Sequence, residues 1–211
     1  MTASWGLGSF AQSLRRLPGR LLHPLRRRKA LSRLRGCPPP RFVLVVCYGN
    51  ICRSPYVAAR LEHELTRPAH GAIRIESAGF VGWGRPCPPV AVEVAAAHGV
   101  DLSRHLATML VPSRVSAADL IVVMDKPQAR VLRDLFGRAD RDVLILGDLD
   151  PERIETRTIQ DPVEQPKEVF ERCYSRIDRC VRELVQAVAG RAERARSSHS
   201  AAPLTQPELT T

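Results

Sequence analysis

Long apolar runs are missing from this 211-residue sequence. No segment approaches the ~20 consecutive apolar residues that a membrane-spanning helix requires, and no apolar core follows the N-terminus as in a secretory signal. Six cysteines are too few for a disulfide scaffold in a chain of this length. No second cysteine or histidine pair has the spacing of a metal site. The composition, which is 44% apolar, is sufficient for one well-packed α/β domain.

Acidic residues are absent from residues 1–40, which contain nine Lys or Arg. The rest of the chain carries the other 23 of the 32 basic residues and all 22 acidic residues, so it is nearly neutral. We therefore expect residues 1–40 to form a basic, disordered extension that makes weak contact with an anionic surface. An organellar targeting peptide and a firmer anchor on an anionic membrane or on nucleic acid are the alternatives. No specific nucleic-acid partner is predicted.

The segment 43–55 reads Val-Leu-Val-Val-Cys-Tyr-Gly-Asn-Ile-Cys-Arg-Ser-Pro. Its apolar beginning is typical of a strand that is buried on both faces, as in a parallel sheet. Gly49 and Asn50 then indicate a sharp turn. Ser54 can cap a helix and Pro55 is tolerated at the first helical position. The segment therefore predicts a strand, a tight loop and a helix.

A loop that curls before a helix points its backbone N–H groups inward, and the helix dipole adds positive charge there. Such a loop can hold a tetrahedral dianion, and Arg53 can bind two of its oxygens. Cys47 would lie beneath the central atom, where the positive field favours the nucleophilic thiolate. Cysteine and arginine at this spacing are a weak pattern alone, and a cysteine that ends a strand is commonly a core residue. The strand, loop and helix context favours the anion site.

The residues from Cys47 to Pro55 resemble the signature loop of the low-molecular-weight protein-tyrosine phosphatases. The resemblance implies hydrolysis of phosphotyrosine monoesters in protein substrates through a cysteinyl-phosphate intermediate, with no metal and no cofactor. It makes Cys47 the nucleophile and gives Arg53 the phosphate oxygens. The other loop residues are expected to bind the substrate, and these are Tyr48, Gly49, Asn50, Ile51, Cys52 and Ser54.

Apolar runs and helical periodicity predict the remaining elements. Strands are predicted at residues 41–47, 73–77, 119–124 and 143–146, and helices at residues 55–66, 90–98, 126–136 and 167–189. Their alternation predicts a three-layer α/β sandwich, flavodoxin-like, with a four-stranded parallel sheet and helices on both faces. We assign residues 41–189 to the phosphatase domain and residues 190–211 to a disordered tail. Cys173 and Cys180 lie on the apolar stripe of the last helix and are interpreted as core thiols.

Residues 147–166 form a long loop, and long loops in compact domains are commonly functional. The reaction requires an acid that protonates the leaving oxygen. The resemblance implies an aspartate in an Asp-Pro pair, and Asp161-Pro162 and Asp150-Pro151 compete for the assignment. Asp161 is preferred because the C-terminal helix begins soon after it. Many family members carry aromatics after this pair, where this chain has Val163 and Glu164.

Several other residues receive roles from the resemblance. Ser77 and His105 are expected to brace Asn50, and Ser54 to donate a hydrogen bond to the cysteine sulfur. Trp83 either lines the mouth of the site or packs against the domain. Cys52 either forms a reversible disulfide with Cys47 or is a core residue.

Three other functions compete with this interpretation. Arsenate reductases of the same fold need two later cysteines, and none lies between Cys87 and Cys173. Protein-arginine phosphatases, by resemblance, carry threonine where this chain has Ile51. A non-catalytic phosphate-binding module would normally lack the cysteine or the acid. We expect a cytoplasmic enzyme because Cys47 requires a reducing compartment.

Overall fold

A computed structural model of the chain describes residues 7–65 and 73–200, with side chains in 19–65 and 73–189. The four strands are β1 (Phe42–Cys47), β2 (Arg74–Gly79), β3 (Leu120–Val123) and β4 (Val143–Ile145). The six α-helices of this part of the chain are α1 (Leu7–Gly36), α2 (Arg53–Leu65), α3 (Pro89–Ala97), α4 (Pro112–Ala117), α5 (Lys126–Phe136) and α6 (Lys167–Ser200). Single 3₁₀ turns form at Asp140–Asp142 and Leu146–Leu149.

All strand pairs are parallel, and the strand order is β2-β1-β3-β4. Every residue of β1 is buried, as its unbroken apolar sequence predicts. Val45 pairs with Ser77 on one side and with Val122 on the other. The chain leaves β1 for one neighbour and returns for the other, so the carboxyl end of β1 lies at the point where parallel α/β sheets commonly bind ligands.

The two faces of the sheet bury separate apolar clusters. Val43 and Val45 point toward the larger cluster, which includes residues of α1, α2, α3 and α6. Leu44 and Val46 alternate to the other face, where α4 and α5 cover them. Helices on both faces of a four-stranded parallel sheet confirm the predicted fold class.

Most element boundaries differ from the predictions by one to three residues. Helix α2 begins at Arg53 rather than Pro55, while the predicted end of this helix at Thr66 lies outside the described residues. Helix α5 matches its prediction, because the Asp125 side chain accepts the N–H of Gln128 at one end and Gly137 takes the left-handed conformation at the other. Helix α4 was not predicted.

The basic N-terminal segment differs from the disordered extension that its composition predicts. Helix α1 buries His23, Ala30 and Leu31 against the domain, and its Arg27 and Arg33 also form hydrogen bonds with the domain. This packing depends on contacts distant in sequence, which composition does not reveal. No helix among the described residues has the length and apolar character needed to cross a bilayer.

The C-terminal segment also differs from the predicted disordered tail. Helix α6 continues from Lys167 through Ser200, past the expected boundary at residue 189. Residues 201–211, the remainder of the predicted tail, lie outside the described residues.

Candidate active site

Cys47 ends β1, and its sulfur is held at the base of the loop that follows. The Ser54 hydroxyl donates a hydrogen bond to Cys47 Sγ at 3.0 Å. Ser54 therefore does not cap helix α2, which begins one residue earlier. A hydroxyl that donates to sulfur stabilises negative charge on it. The loop thus presents a hydrogen-bonded sulfur at the carboxyl end of the central strand.

Asn50 holds the turn of the loop in place. Its φ of 51° is in the left-handed region, which asparagine tolerates better than most residues. Asn50 Nδ2 donates to the hydroxyls of Ser54 and Ser77, at 2.9 Å each. His105 Nε2 donates to the backbone oxygen of Asn50 at 2.8 Å. Ser77 and His105 are thus both in contact with Asn50, as the resemblance implies.

A fourth contact of Asn50 was missed in the sequence. The backbone N–H of Thr108 donates to Asn50 Oδ1 at 2.8 Å. Any residue could supply a backbone N–H, so the sequence carries no signal for this bond. The side chain of Asn50 is fully buried, and both ends of its amide have partners.

Gly79, at the end of β2, lets the loop backbone approach the sheet. A Cβ at this position would lie 2.9 Å from both the amide nitrogen of Asn50 and the carbonyl oxygen of Tyr48. Both distances are shorter than a carbon atom can sustain against backbone. The glycine is therefore required by close packing beneath the loop.

Arg53 begins helix α2 and is only 3% exposed to solvent. Its Nη1 donates to the carbonyl oxygen of Ile159 at 3.1 Å, and its Nη2 contacts the carboxylate of Asp161. Its Nε has no hydrogen-bond partner in the described part of the chain. A buried guanidinium with donors to spare is well suited to hold an anion.

The two candidate aspartates occupy different environments. Asp161 is partly exposed and reaches Arg53, so it lies in the same site as the signature loop. Asp150 is 0% exposed, and its carboxylate accepts hydrogen bonds from Arg176 and Arg179. A fully buried carboxylate held by two arginines cannot meet a substrate.

Helix α6 supports the site from behind through residues that sequence reasoning missed. The Tyr174 hydroxyl donates to the carbonyl oxygen of Cys52 at 3.2 Å. Arg176 donates to the carbonyl oxygens of Thr156 and Thr158, which precede Asp161. Cys173 is a core thiol, as predicted, and it also donates to the carbonyl oxygen of Gln160 at 3.4 Å. The sequence indicates only the apolar periodicity of α6 and not these hydrogen bonds.

Aromatic side chains stand at the rim of the loop. Trp83 is 78% exposed, and Tyr48 is exposed as well. The N–H groups of Phe80 and Val81 donate to the carbonyl oxygen of Tyr48, which joins the Trp83 segment to the loop. The side chains of Ile51 and Cys52 are buried, so these two loop residues can meet a ligand only through their backbone.

The other cysteines near the site are protonated at neutral pH. Burial raises the pKa of the Cys87 and Cys173 thiols to about 12, and it raises the pKa of Cys52 also. Protonated thiols are poor nucleophiles. Cys52 is a free thiol in the structure, and its reversible disulfide with Cys47 stays a prediction.

Comparison with known proteins agrees with this geometry. The family described as low molecular weight phosphotyrosine protein phosphatase matches residues 42–194. The chain belongs to this family. The probable low molecular weight protein-tyrosine-phosphatase EpsP of Ralstonia nicotianae is 39% identical over 140 residues, which is 66% of this chain and 90% of EpsP. Wzb of Escherichia coli K12 is 32% identical over 147 residues, 69% of this chain and 94% of Wzb.

Solved structures are similar to this phosphatase over most of their length. Vibrio vulnificus Wzb in complex with benzylphosphonate has a TM-score of 0.59 and 32% identity, covering 72% of this chain and 99% of that one. The Geobacillus stearothermophilus arginine phosphatase YwlE, with a TM-score of 0.61, 23% identity and coverage of 76% and 97%, is similar in fold alone. The predicted family, protein-tyrosine phosphatase activity and hydrolase class are confirmed by these matches.

Replacing Gly79 by alanine should misplace the signature loop of this phosphatase. The added Cβ meets the backbone of Asn50 and Tyr48, and a displacement near 1 Å can cost about 10²-fold in rate. We expect kcat/KM for an aryl phosphate to fall by about that factor while circular dichroism stays unchanged. Gly36→Ala is the control, because nothing lies within 4 Å of a Cβ there. Equal activity in the two variants would contradict this role of Gly79.

His105 predicts a pH dependence of stability. Burial lowers the pKa of His105 from its ordinary 6.5, so the unfolded chain takes up the proton at a higher pH than the folded chain. The free energy of unfolding therefore decreases as the pH falls below about 6.5, and this group contributes nothing above it. Urea unfolding between about pH 5 and pH 7.5 should show a smaller decrease in His105→Gln than in the unchanged protein. Parallel curves would exclude the effect.

Proposed function

We propose that Cys47, Arg53 and Asp161 carry out the hydrolysis of phosphotyrosine in protein substrates. The observation that supports these roles is one site in which Ser54 donates to the Cys47 sulfur and Arg53 reaches both the Ile159 carbonyl oxygen and the Asp161 carboxylate. Cys47 and Arg53 belong to one loop, and the contact of Arg53 with Asp161 supports adding an acid from a distant part of the chain.

In the first step the Cys47 thiolate attacks phosphorus. The sulfur–phosphorus bond forms as the bond to the tyrosine oxygen breaks, and Asp161 gives its proton to that oxygen. In the second step Asp161 removes a proton from water, and the water oxygen attacks phosphorus. The sulfur–phosphorus bond then breaks, and inorganic phosphate leaves with the thiolate restored.

Arg53 and the loop N–H groups stabilise the charge that the transferring phosphoryl group carries on its three other oxygens. An arriving dianion competes with Asp161 for the Arg53 guanidinium. Substrate binding thereby prepares Asp161 for proton donation.

The exposed aromatics at the rim are proposed to contact the substrate ring. Tyr48 and Trp83 offer flat apolar surfaces on the segments that flank the loop, and aromatic pairs of this kind add stability beyond their buried area. Glu164, three residues after Asp161, is exposed and has a φ of 59°. Its carboxylate would disfavour acidic residues next to the phosphotyrosine and favour basic ones.

The thiolate chemistry proposed for Cys47 requires a reducing compartment, because a reactive thiolate is readily oxidised. We accordingly propose the cytoplasm as the location of the enzyme. The same condition keeps the Cys52 thiol free, as it is in the structure.

We also propose that the outer face of helix α1 contacts anionic membrane surfaces. Leu21, Leu22 and Leu25 are exposed there next to Arg28 and Lys29. Leucines that insert among lipid headgroups beside basic residues are typical of helices that lie on a membrane. This contact would bring the enzyme near phosphoproteins at the membrane.

The membrane contact predicts sedimentation with lipid vesicles. The protein should sediment with vesicles that contain phosphatidylserine but not with pure phosphatidylcholine, and added salt should release it. Leu21→Ser combined with Leu25→Ser should weaken the binding several-fold. Leu135→Ser, at an exposed leucine of α5, is the matched control. Sedimentation that is unaffected by lipid charge would refute the proposal.

Turnover of p-nitrophenyl phosphate tests the catalytic assignment. Cys47→Ser should abolish turnover, whereas Cys180→Ala, at a buried cysteine of α6, should retain it. Asp161→Ala should reduce kcat by about 10²- to 10⁴-fold, the usual contribution of general acid catalysis. Competitive inhibition by inorganic phosphate should persist in Asp161→Ala. Unchanged kcat in that variant would remove Asp161 from the mechanism.

A further inference from the structure

We propose that helix α1 positions the loop that carries Asp161, through a chain of contacts formed by His23, Asp150 and Arg176. This inference rests on the proposed role of Asp161 as general acid. The matched family region begins at residue 42, so the helix lies outside it. The acid loop is defined here as residues 155–162.

Helix α1 contacts Glu155, the first residue of the acid loop. A Cβ on Gly19 would overlap the backbone carbonyl group of Glu155, so the helix backbone itself lies against the loop. Arg20 adds an ion pair with the Glu155 carboxylate at 3.9 Å. Only glycine allows this approach, and the contact restricts the loop from one side.

Further along, α1 is fastened to the domain by charged and apolar groups. Arg27 Nη2 donates to the Glu183 carboxylate of α6 at 2.5 Å, and its Nε donates to the carbonyl oxygen of Leu149 at 3.4 Å. Ala30 and Leu31 are buried in the same apolar cluster as α6. The helix therefore has a fixed position from which its other contacts can act.

His23 connects α1 to the segment that leads into the acid loop. The ring is 2% exposed, and its Nε2 lies 2.9 Å from the carbonyl oxygen of Asp150. A carbonyl oxygen can only accept, so Nε2 carries the hydrogen. The bond fixes the backbone of Asp150 against the helix.

The side chain of Asp150 then orients Arg176. Asp150 Oδ2 accepts from Arg176 Nε at 3.0 Å, in a site where the carboxylate has no exposure to water. The two remaining nitrogens of the guanidinium donate to the carbonyl oxygens of Thr158 at 2.8 Å and Thr156 at 2.7 Å. Arg176 is thus a clamp between Asp150 and the acid loop. A displacement of Asp150 would reorient the Arg176 guanidinium and weaken its hydrogen bonds to the loop.

The clamped residues lie next to those that contact the catalytic groups. Ile159 follows Thr158, its N–H donates to the carbonyl oxygen of Met124 at 2.9 Å, and its carbonyl oxygen accepts from Arg53. Asp161 lies two residues later and also contacts Arg53. A shift of Thr158 therefore reaches the acid over only three residues of backbone. Proton transfer depends steeply on such placement.

The dependence of rate on the leaving group tests this proposal. Loss of acid placement slows substrates with basic leaving groups, such as phenyl phosphate, far more than 2,4-dinitrophenyl phosphate, whose leaving group needs no proton. His23→Ala should lower kcat/KM about tenfold for phenyl phosphate and leave it within about twofold for the dinitrophenyl ester, because kcat/KM reports the first step and not the hydrolysis of the intermediate. His23→Gln, which retains a donor, should recover most of the loss. Ser32→Ala, at an exposed site on α1, is the control.

Gly19→Ala perturbs the contact between α1 and Glu155 instead, and it provides a second test if His23→Ala does not fold. It should produce the same leaving-group-dependent loss. In an Asp161→Ala background, neither change should lower kcat/KM further, because both act through the acid. Equal losses on the two substrates, no loss on either, or additive losses in that background would overturn the positioning role.

The same measurements separate this inference from the function on which it rests. If Asp161→Ala does not itself slow phenyl phosphate more than the dinitrophenyl ester, the assignment of the general acid fails. If Asp161→Ala shows that selectivity but His23→Ala and Gly19→Ala do not, only the role of helix α1 fails.

Discussion

The rest of this site depends on the buried positive charge of Arg53, which is 3% exposed to solvent. Burying the Arg53 guanidinium costs free energy unless oxygen atoms replace the lost water. The Ile159 carbonyl and the Asp161 carboxylate supply such oxygens, so Arg53 holds the acid loop against the signature loop. Arg53 begins helix α2, six residues after Cys47. In the proposed mechanism a phosphoryl dianion offers better charge compensation than these partners and displaces them.

Support for this arrangement comes from two directions. Within the signature loop, both ends of the Asn50 side-chain amide form hydrogen bonds, to Ser54, Ser77 and the Thr108 backbone, and these fix the geometry of the turn. From behind, α6 reaches Cys52 through Tyr174 and the acid loop through Arg176. Polar networks of this kind restrict motion when every member has a partner. The signature loop and the acid loop, which come from distant parts of the chain, are thereby held in one arrangement.

The sequence could predict those features that depend on local chemistry. The residues from Cys47 to Pro55 identify the loop because strand, turn and helix signals follow one another within one segment. Helix α5 was bounded correctly because Asp125 and Gly137 act on their immediate neighbours. Helix α1 and the Arg176 clamp could not be predicted, since both depend on tertiary contacts between residues far apart in the chain. The Thr108 contact uses a backbone group that every residue except proline has.

A crystal structure of the protein with orthovanadate tests the central claim most directly, because vanadate takes the geometry of the transferring phosphoryl group. The account predicts vanadium bonded to Cys47 Sγ, with two vanadate oxygens accepting from the Arg53 guanidinium and the Asp161 carboxyl next to the apical oxygen opposite sulfur. Vanadate bound away from Cys47, or Arg53 turned away from a vanadate that is bound there, would contradict the account.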